Sequence, residues 1–507
     1  MNISEANHFD ANITLLDDLD FSGSALTLPF GFSSDYSSCV SYTGVFEGNG
    51  HTIKGLVMNN EDNQECPMAG LFCGLENAIF ENLVIDSSCS FTGSSAGALS
   101  VSLAGSLTVT NVTNKADVSG SYEVGGFVGI IGYLNQRTEV AFKDCVNDGN
   151  ITGWSMLGGF VGDMKNNKDL SMTFSDCINN GNNSGKYIVG GFVGKNTENE
   201  NMKITISNCT NNGICTGESG HVGGFVGSYA SDDVTINISN FVNNGLITGD
   251  NSIGGFFGSV RYINTNITIS NSMNTGMITG ISSYIGGFVG RITTGSESSL
   301  NPFVIINSAN KGNVSTEYFA CGMFCVDSDN AQNLYTVVLN SINKGSVNAT
   351  ASAYGITNTI TKARNVVSMG EVNASSGSST FWSSDDGVEK LYGLAGKCIN
   401  CYNSNIRLFE HNTSTGFYEV VGSGEHVNYL LNAEVQMQNF GMFWTEELDL
   451  VEPHVEPSPL PLPSPASSLS SSSSSQSGGL SGGNKHGVSL FWIGVVVALA
   501  AHVAMAQ

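Results

Sequence analysis

The chain has 507 residues and a formal net charge of −25, with 19 Lys and Arg residues against 44 Asp and Glu residues. This balance argues against nucleic-acid binding, which needs basic patches. Sixty-two glycines and a charged fraction of only 12% favour turns and exposed β surface over helices.

The N-terminal residues 1–8 contain neither the basic nor the apolar segment of a signal peptide. If the protein is exported, we expect its true start to differ from Met1. Twelve N-x-S/T sequons are nevertheless compatible with a secreted, glycosylated surface. The candidate glycosylation sites are Asn12, Asn111, Asn150, Asn208, Asn237, Asn266, Asn313, Asn348 and Asn412.

Two motifs recur in a fixed register along the first three quarters of the chain. The pentapeptide GGFVG at Gly125–Gly129 returns, once as GGFFG, at successive spacings of 33, 32, 33, 31 and 32 residues. About 18 residues after each copy comes a second motif, which reads DCVNDGNITG at Asp144–Gly153. Such a period indicates a repeat array in which each unit buries its apolar face against its neighbours.

Short alternating segments indicate that the repeat unit is built from strands. Ile204–Ser207 and Ile267–Ser270 alternate apolar and polar residues, and Asn/Gly-rich turns follow them. Stacking equivalent strands predicts an all-β parallel β-helix over residues 1–375, with an interior ladder of phenylalanines. On a flat strand, the valines that follow these phenylalanines would point to the opposite side. The predicted ladder consists of Phe127, Phe160, Phe192, Phe225, Phe256 and Phe288.

The repeat fades after residue 375. Residues 376–450 are aromatic and non-repeating, which favours a C-terminal cap or small domain. Residues 451–487 form a Pro/Ser-rich segment typical of a stalk, and residues 488–507 form a hydrophobic tail. The tail follows a spacer and small residues, an order that favours a GPI signal with Ser477 or Ser481 as the attachment site; a retained transmembrane helix is the alternative.

The GGFVG copies resemble the GLUG motif of bacterial and protist surface proteins, and the segment FEGNGHTIKGL at Phe46–Leu56 is similar to the opening phrase of many such proteins. The resemblance covers about residues 10–375. It implies a right-handed parallel β-helix and an adhesin-like role at the cell surface. It implies no catalytic residue, cofactor or metal.

Candidate catalytic groups are few. Gly93–Gly97 matches G-x-S-x-G, but a nucleophile elbow needs an α/β setting that this sequence does not indicate. Cys145, Cys177 and Cys209 share one repeat position, as small buried residues or as partners in a disulfide between coils. Asp144 and Asp176 lie one repeat apart, but the position becomes Asn in later copies, as expected of a turn.

We therefore expect a non-catalytic structural or adhesion protein on the extracellular face of the plasma membrane, held there by its C-terminus. Its polar, Thr/Asn-rich strand faces would bind a glycan or a host protein. The alternative is a glycan-active β-helix enzyme, a polysaccharide lyase or hydrolase, which would need closely placed carboxylates, or acids with a basic partner, on adjacent coils.

Overall fold

The protein is an all-β solenoid of parallel strands. The computed structural model describes residues 9–379 except 25, 33–38, 65, 263, 282–283, 295–300, 328–333, 359–361, 369–371 and 375–376, together with five later strands between residues 398 and 451. None of these residues is helical. Equivalent residues of successive coils pair in parallel, as Ile206 pairs with Ile238. The β-solenoid predicted from the repeat is confirmed.

Each regular coil contributes to three sheets, which we call sheets 1, 2 and 3 in the order in which the chain visits them. The 23 strands of sheet 1 are Ile13–Thr14, Leu19–Asp20, Val45–Glu47, Thr52–Lys54, Ala78–Ile85, Leu107–Asn114, Thr138–Lys143, Val146–Asn147, Leu170–Ser175, Ile178–Asn179, Lys203–Ser207, Thr210–Asn211, Thr235–Ser239, Val242–Asn243, Asn266–Ser270, Met273–Asn274, Pro302–Ile306, Ala309–Asn310, Tyr335–Asn343, Lys362–Ser368, Cys398–Asn403, Arg407–His411 and Tyr418–Gly422. The 20 strands of sheet 2 are Val57–Asn59, Met68–Ala69, Ser90–Gly93, Ser95–Gly97, Asp117–Gly125, Ile151–Gly158, Asn183–Gly185, Val189–Gly190, Cys215–Gly217, Val222–Gly223, Ile247–Gly249, Ile253–Gly254, Ile278–Gly280, Tyr284–Gly286, Val314–Thr316, Phe319–Cys321, Val347–Ala349, Ser352–Tyr354, Val372–Ala374 and Gly377–Ser379. The ten strands of sheet 3 are Ser41–Tyr42, Phe72–Leu75, Ser100–Leu103, Val128–Gly132, Val161–Lys165, Val193–Glu200, Val226–Asp232, Phe257–Tyr262, Val289–Thr294 and Phe324–Val326. A separate pair consists of Phe443–Trp444 and Leu450–Val451.

The repeated phenylalanines lie in the interior, and all six predicted ladder rings are fully buried. The ring of Phe160 stacks between those of Phe127 and Phe192, with centroids 4.9 and 4.7 Å away. From Phe192 to Phe225 the rings tilt to 45°. Phe174 of sheet 1 meets the column edge-on, 5.6 Å from Phe160. Face and edge contacts therefore join the repeated phenylalanines to those of sheet 1 in one aromatic core.

A corner of the coil explains why the valines of the GGFVG motif do not face outwards. The sheet 2 strand ends at Gly158, and the sheet 3 strand begins at Val161. The bend at Gly159 and Phe160 interrupts the alternation of side chains, so that Phe160 and Val161 both point inwards and are buried. The expectation that the valines lie on the opposite side is therefore wrong for Val128, Val161, Val193, Val226 and Val289.

A buried ladder of asparagine side chains runs through eight coils. Its members, all without exposed surface, are Asn114, Asn147, Asn179, Asn211, Asn243, Asn274, Asn310 and Asn343. The Nδ2 of Asn179 donates to the Gly181 carbonyl at 3.0 Å and to Asn211 Oδ1 at 2.8 Å, while its Oδ1 accepts from Asn147 Nδ2 at 2.8 Å. Each amide between the two ends of the ladder is thus satisfied by its own turn and by both neighbours, as burial requires.

This ladder also explains why the two sequence motifs keep a common register. The ladder asparagine belongs to the second motif, and the second glycine of GGFVG packs against it. A Cβ atom at Gly191 would lie 2.7 Å from Asn211 Oδ1 and 2.0 Å from the Gly224 carbonyl oxygen of the next coil. Only glycine permits this approach.

Parallel stacking gives way to antiparallel pairing near the C-terminus. Cys398–Asn403 pairs in parallel with Lys362–Ser368, and Arg407–His411 and Tyr418–Gly422 follow as antiparallel strands. Most of the predicted cap, the stalk, the tail, Ser477 and Ser481 lie outside the described residues. Across the part that is described, no helix has the length and apolar character needed to cross a membrane.

Candidate ligand-binding surface

The predicted glycosylation sites lie on the surface wherever the structure describes them. Asn266 and Asn348 are partly buried, and Asn412 lies outside the described residues. Asn208 already uses its amide, because its Nδ2 donates to Asp176 Oδ1 at 3.0 Å. The exposed members are Asn12, Asn111, Asn150, Asn208, Asn237 and Asn313. Glycosylation of these residues stays a prediction.

The repeated Asp/Asn position is a turn column. Asp144 and Asp176 adopt φ values of 52° and 55°, and the asparagines that replace them in later coils share this left-handed conformation. Asn240 Nδ2 donates to Asn208 Oδ1 at 2.9 Å, which continues the ladder begun by Asp176 and Asn208. Asp and Asn tolerate this backbone region better than other residues with a Cβ atom, so the column has a structural explanation.

Neither the G-x-S-x-G match nor the cysteine column provides a nucleophile. Ser95 Oγ donates to Glu123 Oε2 at 3.1 Å, so its partner is a carboxylate and not an imidazole. Cys145, Cys177 and Cys209 are buried free thiols and form no disulfide between coils. The Cys177 thiol and burial hold the pKa of Cys145 far above its usual range, which keeps this sulfur in its unreactive form.

An exposed aromatic row lies on the outer side of sheet 2, where neighbouring coils bring Tyr122, Trp154 and Tyr187 to adjacent positions. These side chains are 47%, 45% and 37% exposed. Tyr122 pairs with Ser155, the neighbour of Trp154, and the Tyr187 amide donates to the Trp154 carbonyl. The rings of Trp154 and Tyr187 meet edge-on with centroids 5.7 Å apart. These rings form a run of exposed aromatic surface on successive coils, whereas most large apolar side chains of the described residues are buried.

A lysine ammonium lies over this row. Lys186 Nζ lies 4.1 Å from the ring centroid of Trp154 and 5.5 Å from that of Tyr187. The ring faces attract the cation, which holds a normally flexible side chain in place.

A charged cluster lies at the corner between sheets 2 and 3, directly beside Tyr122. Glu123, which follows Tyr122, accepts a hydrogen bond from Lys165 Nζ at 2.5 Å. The same ammonium lies 3.8 Å from Asp163 Oδ2. Lys195 pairs with Asp163 along sheet 3 on the next coil. Two carboxylates and two ammonium groups therefore converge from three successive coils.

Asp163 is the most perturbed member of this cluster. Its side chain is 1% exposed, and neither of its carboxylate oxygens has a hydrogen-bond partner. Burial raises the pKa of Asp163 to about 6, and the ammonium groups of Lys195 and Lys165 offset part of that rise. A buried acid of this kind beside charged partners is found more often at functional sites than elsewhere.

The sequence alone predicted neither the exposed aromatic row nor the charged cluster. The expected Thr/Asn-rich face exists on sheet 1, where Thr205 pairs with Asn237 and Asn237 with Thr268, but the row of Tyr122, Trp154 and Tyr187 lies on the side of sheet 2. Trp154 and Tyr187 carry a usable signal, since they are large rings at positions where several other copies have small or polar residues. Glu123 and Lys165 are 42 residues apart and meet only because the corner brings them together.

Comparisons with known proteins add little to this description. No protein-family model matches the sequence, and a search of curated proteins gives no significant match. Among solved structures, the chain is similar to the crystal structure of a putative immunoglobulin A1 protease from Bacteroides ovatus, with 13% sequence identity and a TM-score of 0.24. That likeness covers 81% of this chain and 86% of the other, and it is too slight to indicate a function.

Proposed function

We propose that the protein is a non-catalytic adhesion protein of the cell surface, which binds glycans through the aromatic row Tyr122, Trp154 and Tyr187. The anchor would be the C-terminal hydrophobic tail, and the solenoid would carry the row outward from the membrane. The composition of the stalk and the resemblance to GLUG proteins support this location.

The exposed aromatic row is the observation that carries the proposal. A pyranose ring has an apolar C–H face, which packs against the electron-rich face of Trp or Tyr. Rigid aromatic side chains lose little conformational entropy on binding, so they are efficient contact residues. Here backbone hydrogen bonds between coils hold Trp154 and Tyr187 in place, since the Lys186 and Tyr187 amides both donate to the Trp154 carbonyl at 3.1 Å.

The test is a glycan array with the full-length protein, followed by calorimetry on the sugars that bind. We expect Trp154→Ala to reduce affinity by about fivefold or more, since an aromatic residue at the centre of a contact contributes more than about 1 kcal/mol. Tyr335→Ala is the matched control, because Tyr335 is 40% exposed but lies on sheet 1. Equal binding by the wild-type protein and Trp154→Ala, or binding only to a host protein, would refute the proposal.

A glycan-active enzyme is the second candidate, and the Glu123–Lys165–Asp163 cluster favours it. Carboxylates that share a basic partner on adjacent coils are the arrangement that such chemistry needs. Against it, Asp163 is only 1% exposed, so a substrate would not reach it without a rearrangement. Release of reducing ends from a polysaccharide by the wild-type protein, and its loss in Glu123→Gln, would establish this second function instead.

A further inference from the structure

Lys186 is an ammonium without a carboxylate partner in a strongly acidic chain. Several other cationic side chains form ion pairs, among them Lys54 with Asp18, Lys165 with Glu123 and Arg291 with Asp327. Within the described part of the chain, no carboxylate lies within 4.0 Å of Lys186, and Glu218 of the next coil, although exposed, forms no ion pair with it. Its charge is therefore available to a ligand.

The position of Lys186 fits a group attached to a sugar ring. Its ammonium lies over part of the Trp154 ring and near Tyr187, so a pyranose packed beside it on this row would place its substituents within reach of Nζ. The aromatic contacts order the lysine before a ligand arrives, which lowers the entropy lost on binding. A compact ammonium presents a point charge, which suits a single anionic group.

We propose that the aromatic row selects sugars that carry a carboxylate, with Lys186 as the residue that recognises the anion. This inference rests on the proposed glycan-binding function and specifies its ligand class. Sialic acids and uronic acids share the required chemistry, a carboxylate on a pyranose ring. The net charge of −25 repels anions at long range, so the selectivity is local to Lys186.

The experiment compares carboxylated and neutral sugars on the full-length protein. Calorimetry with sialyllactose against lactose tests sialic acid, and a galacturonate trimer against a galactose trimer tests uronic acid. We expect at least one carboxylated sugar to bind roughly 2- to 5-fold more tightly than its neutral counterpart, the range expected for a partly exposed charge pair. The preference should decrease as the ionic strength rises.

Three variants separate this selectivity from the row itself. Lys186→Gln should abolish the preference while neutral sugars still bind, and Lys186→Arg should retain it. Lys203→Gln makes the same change in net charge at an exposed site on sheet 1 and should have no effect. Equal affinity for charged and neutral sugars, or an unchanged preference in Lys186→Gln, would overturn the inference and leave the glycan-binding proposal intact. Trp154→Ala tests the glycan-binding proposal separately, because it should weaken the binding of charged and neutral sugars alike.

Discussion

Replacing Asp163 by asparagine should stabilise the protein at neutral pH. The carboxyl is buried without a hydrogen-bond partner, and its pKa is raised from 3.8 to about 6. A shift of about 2 pKa units corresponds to about 3 kcal/mol, since one unit corresponds to about 1.4 kcal/mol. Between about pH 4 and pH 6, Asp163 therefore keeps a proton in the folded state that it has already released in the unfolded state. The stabilisation that this proton provides is complete below about pH 4 and is lost as the pH rises through about 6.

Asparagine at position 163 is neutral at every pH, so the variant avoids the cost of the buried charge. At about pH 8 we expect Asp163→Asn to be more stable than the wild-type protein by up to about 3 kcal/mol. At about pH 4 the two should be nearly equal, because Asp163 is then protonated. The difference between the two proteins isolates this residue from the other carboxylates of the chain.

Urea unfolding followed by far-UV circular dichroism at about pH 4, 6 and 8 measures this difference. Solenoids unfold in segments, so the midpoint and slope of each transition should be compared together. Asp148→Asn is the matched control, because Asp148 is exposed and the equivalent residue of the next coil is Asn180. Two results would refute this reasoning: an Asp163→Asn variant that is less stable than the wild type at pH 8, or a difference in stability that does not depend on pH. Either result would show that the protein compensates the buried charge of Asp163.

Two further predictions concern the interior columns, and the same urea assay measures both. Asn179→Leu should destabilise by about 3 kcal/mol or more, since one N–H of the buried Asn147 amide loses its acceptor and the buried Gly181 carbonyl loses its donor, at about 1–3 kcal/mol each. The exposed neighbour Asn180→Ala should change stability by less than about 0.5 kcal/mol, and equal effects of the two variants would contradict the ladder. Phe160→Ala should cost about 3–5 kcal/mol because the ring is fully buried between Phe127 and Phe192. Phe160→Leu should cost less, and a cost for Phe160→Ala below about 1 kcal/mol would argue against the stacked core.

The fold could be predicted because the sequence repeats the same pattern of strand and turn residues in each coil. Ile204–Ser207 and Ile267–Ser270 alternate as half-buried strands do, and the fixed period brings such segments together coil after coil. The period does not show where a coil turns. The bend at Gly159 and Phe160 therefore reversed the expected direction of Val161, which lies beyond the corner.

The candidate surface could not be predicted in the same way, because its contacts cross from one sheet to another. Glu123 lies near the end of the sheet 2 strand Asp117–Gly125 on one coil, and Lys165 lies in sheet 3 on the next. No spacing rule connects these residues until the corner geometry is known. Trp154 and Tyr187 differ, because their separation of about one period already places them on neighbouring coils.

The interior and the exterior of the solenoid therefore carry different information. Phenylalanine, asparagine and glycine recur because each interior column needs the same shape and hydrogen bonds at every level. An outward position has no such constraint: along one line of sheet 3 the residues are Ile130, Asp163, Lys195 and Ser228. Isoleucine and serine show that the position accepts uncharged side chains, yet at Asp163 it holds a buried carboxylate that lowers stability at neutral pH. Residues that oppose stability concentrate where function needs them, and this one lies in the same cluster as Glu123, the neighbour of Tyr122. The departures from the repeat, and not the repeat itself, mark the surface on which binding should be sought.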